Sequence, residues 1–108
     1  MALYQFTTPV IPLHITGIDF EDVDIFRVAI EGPGTQLIKV VSSDAETVDS
    51  GTNTLYITLT QEETANLGEG YAYFQVRMLT YSGAVIATNK VVRNIESVID
   101  EVVIVNNG

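Results

Sequence analysis

The chain has no cysteine. Disulfides, thiolate nucleophiles and zinc–thiolate centres are therefore excluded, and with them several enzyme and metal classes. Basic residues are scarce: five Lys and Arg stand against 14 Asp and Glu, for a formal net charge of −9. A field of that sign repels nucleic-acid phosphates and anionic lipid surfaces, so neither nucleic acid nor membrane is an expected partner. No stretch approaches the run of about 20 apolar residues that a membrane helix requires. The N-terminus, MALYQFTTPV, lacks a charged segment followed by an apolar core, and the chain is expected to start near Met1 and to be made in a cytoplasm. A single histidine, His14, has no second histidine or thiol with which to share a metal, and reads as a packed or surface residue.

What is present is apolar: 46% of the 108 residues, against 18% charged, far from the composition of a disordered chain. This length fits one domain with one core, over residues 1–108. Helical periodicity is nearly absent. Alternating and β-branched runs recur every 8–12 residues or so between Gly, Asn, Asp and Ser clusters, which predicts an all-β sandwich or barrel of roughly six to eight short strands.

Leu3–Thr7 and Leu13–Thr16 flank Pro9 and Pro12, so the N-terminal strand is expected at an edge, kinked or split. Val23–Glu31 points Phe26, Val28 and Ile30 one way, and Gly32-Pro33-Gly34-Thr35 turns it back into Gln36–Ser42. Thr54–Thr60 aligns Leu55, Ile57 and Leu59. Tyr71–Thr80 aligns Phe74, Val76 and Met78 and is turned by Ser82-Gly83 into a strand over Ala84–Val92. In the tail, Ile95, Val98, Ile99 and Val102 have helix-like spacing, which predicts a short helical turn within 95–108.

The densest polar stretch is Thr60-Gln61-Glu62-Glu63-Thr64, followed by Gly68-Glu69-Gly70. Thr60 and Glu63 have capping-box spacing: the hydroxyl accepts from the Glu63 N–H and the carboxylate from the Thr60 N–H. Gly68 suits the helix end and Gly70 the entry into the next strand. One helical turn thus uses every residue, whereas an acid–base pair or cation site built on Glu62, Glu63 and Glu69 would need carboxylates held across a cleft, and neighbours on a helix point apart. A second acidic group, Asp19 to Asp24, offers oxygen ligands for calcium but lacks the glycine and terminal glutamate of an EF-hand loop; it reads as a solvated turn. No serine lies in a Gly-x-Ser-x-Gly elbow, and Gly32-Pro33-Gly34 lacks the Gly-Lys-Ser/Thr ending of a phosphate loop. No catalytic residue, metal site or cofactor is expected.

The other face of the long strand carries Tyr71, Tyr73, Gln75 and Arg77. Tyrosine and arginine are enriched at binding hot spots, which makes these four the candidate interaction residues; the competing reading is a solvated sheet face with one corner tyrosine.

The order of strand, helical turn, Gly-x-Tyr and long strand resembles the E–F corner of an immunoglobulin-type sandwich, with Tyr71 or Tyr73 as the corner tyrosine. That resemblance implies an immunoglobulin-like antiparallel β-sandwich of about seven strands with a short helical turn at the E–F corner. More specifically, Leu55 to Thr64, Gly70 to Arg77 and Gly83 to Asn89 resemble small tail and baseplate-associated proteins of phages and prophages of Gram-positive bacteria. The chain is similar there to the N-terminal domain of upper baseplate proteins. The shared features are a Leu-Thr-x-Glu-Glu-Thr corner, a Gln-x-Arg strand and a closing Val-Ile tail, here Val98 to Ile104; a glycine before that Val-Ile pair is missing. The likeness covers the C-terminal half well and the N-terminal half by strand pattern. It implies a non-enzymatic virion component, made in the host cytoplasm, whose partners are other virion proteins or copies of itself. Thr60, Glu63 and Gly70 carry over as corner residues, and Gln75 and Arg77 as strand residues. A cell-surface or carbohydrate-binding module, stacking Tyr56, Tyr71 or Tyr73 on host-surface glycan, is the alternative.

Overall fold

The structure, a computed structural model, describes residues 2–105. Its elements run β1 (Leu3–Tyr4), β2 (Val10–His14), a single 3-10 turn (Phe20–Asp22), β3 (Val23–Glu31), β4 (Gln36–Ser42), β5 (Val48–Asp49), β6 (Thr54–Thr58), α1 (Gln61–Leu67), β7 (Gly70–Thr80), β8 (Val85–Ala87) and β9 (Val91–Glu96).

Two sheets form. The larger has the order β1-β9-β7-β3-β4, with β8 also on β7, and the smaller has the order β2-β6-β5. All pairs are antiparallel except β1 with β9. This is the strand order of an immunoglobulin-type sandwich: β2, β6 and β5 stand as strands B, E and D, and β9, β7, β3 and β4 as G, F, C and C′. The alternation that builds it is plain in β7, where Ala72, Phe74, Val76, Met78 and Thr80 are buried and the residues between them are exposed or half-buried. Facing them across the core are Ile11 and Leu13 of β2 and Leu55 and Ile57 of β6. Phe20 caps the core from the 3-10 turn, edge-on to Phe26 at 4.8 Å between ring centres.

The prolines split the N-terminal strand as expected, and the two halves lie in different sheets. β1 pairs with β9, the chain crosses over through Phe6 at φ 59°, and β2 pairs with β6 at the edge of the smaller sheet. Pro12 thus sits on an edge strand, where a missing N–H is tolerated.

The expected strand over Ala84–Val92 is instead two strands separated by Thr88-Asn89-Lys90. Between the pairs Arg77↔Ala87 and Phe74↔Val91, the second strand holds one residue more than β7, which defines a β-bulge. Thr88 bridges it: its N–H donates to the Val76 carbonyl at 2.9 Å and its Oγ1 accepts from the Val76 N–H at 3.1 Å.

The helical turn expected in the tail does not form. Ile95 lies in β9, opposite Gly70 on one side and Leu3 on the other, and no helix occurs in residues 97–105. Pairing on two sides outweighs an apolar spacing that four β-branched residues happened to share with a helix. Asn106, Asn107 and Gly108, also within the expected 95–108 tail, lie outside the described residues.

Candidate functional site

Thr60 to Gly70 builds a corner, and the side chains of Thr60, Glu63 and Thr64 are engaged in holding it. The Glu63 N–H donates to Thr60 Oγ1 at 3.1 Å, and the Thr60 N–H to Glu63 Oε1 at 2.9 Å, closing the capping box. Gly68 takes φ 89° at the helix end, and Gly70 opens β7 at φ 134°. Lys39 Nζ reaches the same Glu63 oxygen at 2.8 Å from β4, so this carboxylate also ties α1 to the larger sheet. Thr64, 1% exposed, ties the other side: its Oγ1 donates to the Thr7 carbonyl at 3.1 Å and accepts from the Thr7 N–H at 3.3 Å. Gln5 Nε2 donates to the Ala65 carbonyl. Neither tie is visible in the sequence, because both partners lie more than fifty residues away along the chain.

Partial burial pushes the Glu63 carboxyl up, but hydrogen bonds from Lys39 and Thr60 and the Lys39 charge outweigh it, leaving its pKa below the ordinary value. A carboxylate lowered in the folded state stabilises above its unfolded pKa, about 4.3, and that contribution is lost as pH falls through the folded pKa. Glu63→Gln is therefore expected to cost about 0.5–1 kcal/mol in urea unfolding at pH 7, since its amide oxygen still accepts but the surface ion pair is gone. The gap between wild type and variant is expected to narrow at pH 3; an undiminished gap there would assign the loss to packing.

Asp19 accepts from the Glu21 N–H at 3.0 Å and so starts the 3-10 turn, and among the described residues no group of three His, Cys, Asp or Glu is placed to hold a metal ion. His14 is exposed, with its Nδ1 3.4 Å from Thr54 Oγ1.

The outer face of the larger sheet is different in kind. Tyr71, Tyr73, Gln75 and Arg77 all point to it from β7. Tyr71 and Tyr73 are 63% and 41% exposed, and neither hydroxyl bonds to another described residue. Neither is a corner tyrosine, because odd positions of β7 face outward, away from the E–F corner; Thr64 and Gln5 tie that corner instead. Gln75 is half-buried and committed, its Nε2 donating to the Thr88 carbonyl at 2.9 Å across the bulge. Arg77 faces Arg27 of β3 in direct register. Like charges directly opposite on a sheet repel, and among the described residues neither arginine makes an ion pair. Val40 of β4 stands opposite Arg27 in register with Ile38 two residues along from it, and Tyr73 and Val92 of β9 pair farther along the same face, all exposed. Arg27 belongs to this face as much as Arg77 does; in the sequence it is only the polar side of an amphipathic strand.

No protein-family model matches the chain, and no curated protein matches it. Among solved structures, the chain is similar to the extracellular domain of the voltage-gated sodium channel beta4 subunit, described as forming parallel homodimers that explain its role in cell-cell adhesion. The match has 15% identity over 100% of this chain and 90% of that chain, with a TM-score of 0.42. The immunoglobulin-type assignment rests on the strand order above.

Proposed function

We propose that the protein is a non-enzymatic assembly module that works through protein–protein contacts on the outer face of its larger sheet, as a tail or baseplate component of a phage or prophage. The observation that carries the reading is the unpaired Arg27–Arg77 register pair, flanked by exposed Val40 on a face that also carries exposed Ile38, Tyr73 and Val92. Two facing guanidiniums repel in the isolated domain, and a partner carboxylate placed between them converts that repulsion into two charge-assisted hydrogen bonds. Val40 and Ile38 beside the pair offer apolar area that shields such a contact from water, as the rim of a hot spot does, and Tyr73 extends the face. The virion setting comes from the corner and strand resemblance, and implies that the acidic partner is another particle protein.

The test is co-expression with the products of the neighbouring genes, followed by titration of the one retained. Tyr73→Ala with Arg77→Glu is expected to weaken that complex by about 2 kcal/mol or more, roughly thirtyfold, without altering the fold. A partner bound equally well by the variant would move the site elsewhere. The second reading, a glycan-binding face, draws on Tyr71 and Tyr73, two exposed rings about 7 Å apart along one strand face. Titration with Gram-positive wall polysaccharide decides it, an unchanged tyrosine fluorescence removing the reading.

A further inference from the structure

The two sheets leave an opening along one side. β2 ends the smaller sheet, and β8 and β9 end the larger one, with β1 covering only Ile95 and Glu96. Between those edges lies a cleft of about 560 Å³, walled by Ile15 and Ile18 on one side and Ile86 and Val91 on the other, over a floor that includes Val76 and Met78. Among the described residues, the outer edge of β2 and that of β8 to Asn94 pair with no strand. The β8–β9 edge presents free N–H and C=O groups, a template for another strand, whereas the β2 edge offers its carbonyls and the N–H groups of Val10 and His14 on either side of Pro12, which has none.

The same chain carries an unhoused strand-like segment. Residues 97–105 leave β9 without joining either sheet, and Ile99, Val102, Ile104 and Val105 are 106%, 62%, 77% and 67% exposed. Val102-Val103-Ile104-Val105 is a run of four β-branched residues, the pattern of a strand buried on both faces. Its backbone is already in use as a strand edge: Gln61 Nε2 donates to the Ile104 carbonyl at 2.8 Å, and the Ile104 N–H donates to Gln61 Oε1 at 2.7 Å. One side-chain amide thus makes the two-way exchange that an antiparallel partner residue would make.

We propose that residues 98–105 of one copy insert as a β-strand into the β2/β8–β9 cleft of a second copy, linking copies head to tail. Charge selects this occupant. In a chain of net charge −9, Arg93 lines the cleft and Lys90 sits in the bulge on its rim, two of the five cations. The segment brings Asp100 and Glu101 immediately before its apolar run. Geometry points to a second copy. Gln61 holds the segment at the end where β6 gives way to β7, whereas the cleft reaches Ile18 and the Met78↔Ile86 pair toward the far end of β7. A tail and a cleft are different surfaces, so the contact is heterologous and propagates into a chain or closes into a ring. This deepens the assembly reading and rests on it, while using none of the residues of the outer face.

The experiment uses two full-length variants. Val102→Asp with Ile104→Asp disables the tail, and Val91→Asp with Arg93→Glu disables the cleft; none of these four residues is buried, and circular dichroism checks that both variants fold. In sedimentation velocity, wild type is expected to grow beyond a dimer with concentration, and each variant to associate at least tenfold more weakly. An equimolar mixture of the two is expected to give a 1:1 heterodimer and nothing larger, because only one functional tail meets one functional cleft. A synthetic peptide of residues 97–105 in excess is expected to dissociate wild type. Wild type that stays monomeric at every concentration, variants that associate as wild type does, or a mixture that stays monomeric would each overturn the proposal. Tyr73→Ala with Arg77→Glu serves as the separating control: it is expected to keep the head-to-tail series intact, so loss of partner binding and loss of self-association are read independently.

Discussion

Phe26→Ala is expected to remove about 3–5 kcal/mol of folding stability, the usual cost of emptying a fully buried phenylalanine site. Phe26 is 0% exposed, stands between Val41 and Met78 in the middle of the larger sheet, and meets Phe20 edge-on. Three costs coincide there: the lost transfer of the ring from water, the cavity left under a pairing that two neighbouring strands hold in place, and the loss of the aromatic contact. A domain of this size has roughly 5–15 kcal/mol in total, so the variant is expected to unfold at a much lower urea midpoint with an unchanged slope. Phe26→Leu keeps most of the volume and is expected to cost less than half as much. A loss near 1 kcal/mol for the alanine variant would mean that the sheets close over the site, and that the core is softer than its packing indicates.

Gly32→Ala is expected to cost about 1–3 kcal/mol through a clash that has nowhere to go. A β-carbon at Gly32 would stand 2.3 Å from the Leu67 carbonyl oxygen and 3.0 Å from the carbon bearing it. Both atoms belong to the last turn of α1, and the same carbonyl accepts from the Gly34 N–H at 2.8 Å. The β3–β4 turn is therefore pressed against the helix end backbone to backbone, and separating them breaks a hydrogen bond that a buried carbonyl would miss. Gly51→Ala is the control: its added β-carbon meets only the movable Asp49 carboxylate, at 3.3 Å, and its effect is expected to stay within about 0.5 kcal/mol. Equal effects at the two glycines would show that the turn gives way.

Gly32 also marks how far the sequence could be read. As a turn former it is evident between two alternating runs, and β3, β4, β6 and the capping box follow from local spacing for the same reason: each depends on residues a few positions apart. What stayed hidden depends on distant partners. Nothing local says that the turn glycines admit α1, that Thr64 meets Thr7, or that β1 and β2 part into different sheets. The outer face was half legible. β7 displays its tyrosines and arginine through strict alternation, but the register that sets Arg27 against Arg77 is a property of two strands. The tail misled through coincidence: the spacing of Ile95, Val98, Ile99 and Val102 matches a helix, but Ile95 is claimed by pairing with β7 and β1, and the other three lie beyond β9 in no strand.

The extra residue at Thr88-Asn89-Lys90 acts on the chain as a change of parity. Ile86 and Val91 lie an odd number of positions apart, yet both turn toward the core, opposite Met78 and Phe74. A strand without the insertion would send Val91, Arg93 and Ile95 to the outer face and bring Val92 and Asn94 inward. Apart from Thr88, whose Oγ1 holds the Val76 N–H, the side-chain identities in this short segment are therefore free to vary more than its length is. Gain or loss of a single residue there would exchange the two surfaces of β9, whereas a change of two would restore them.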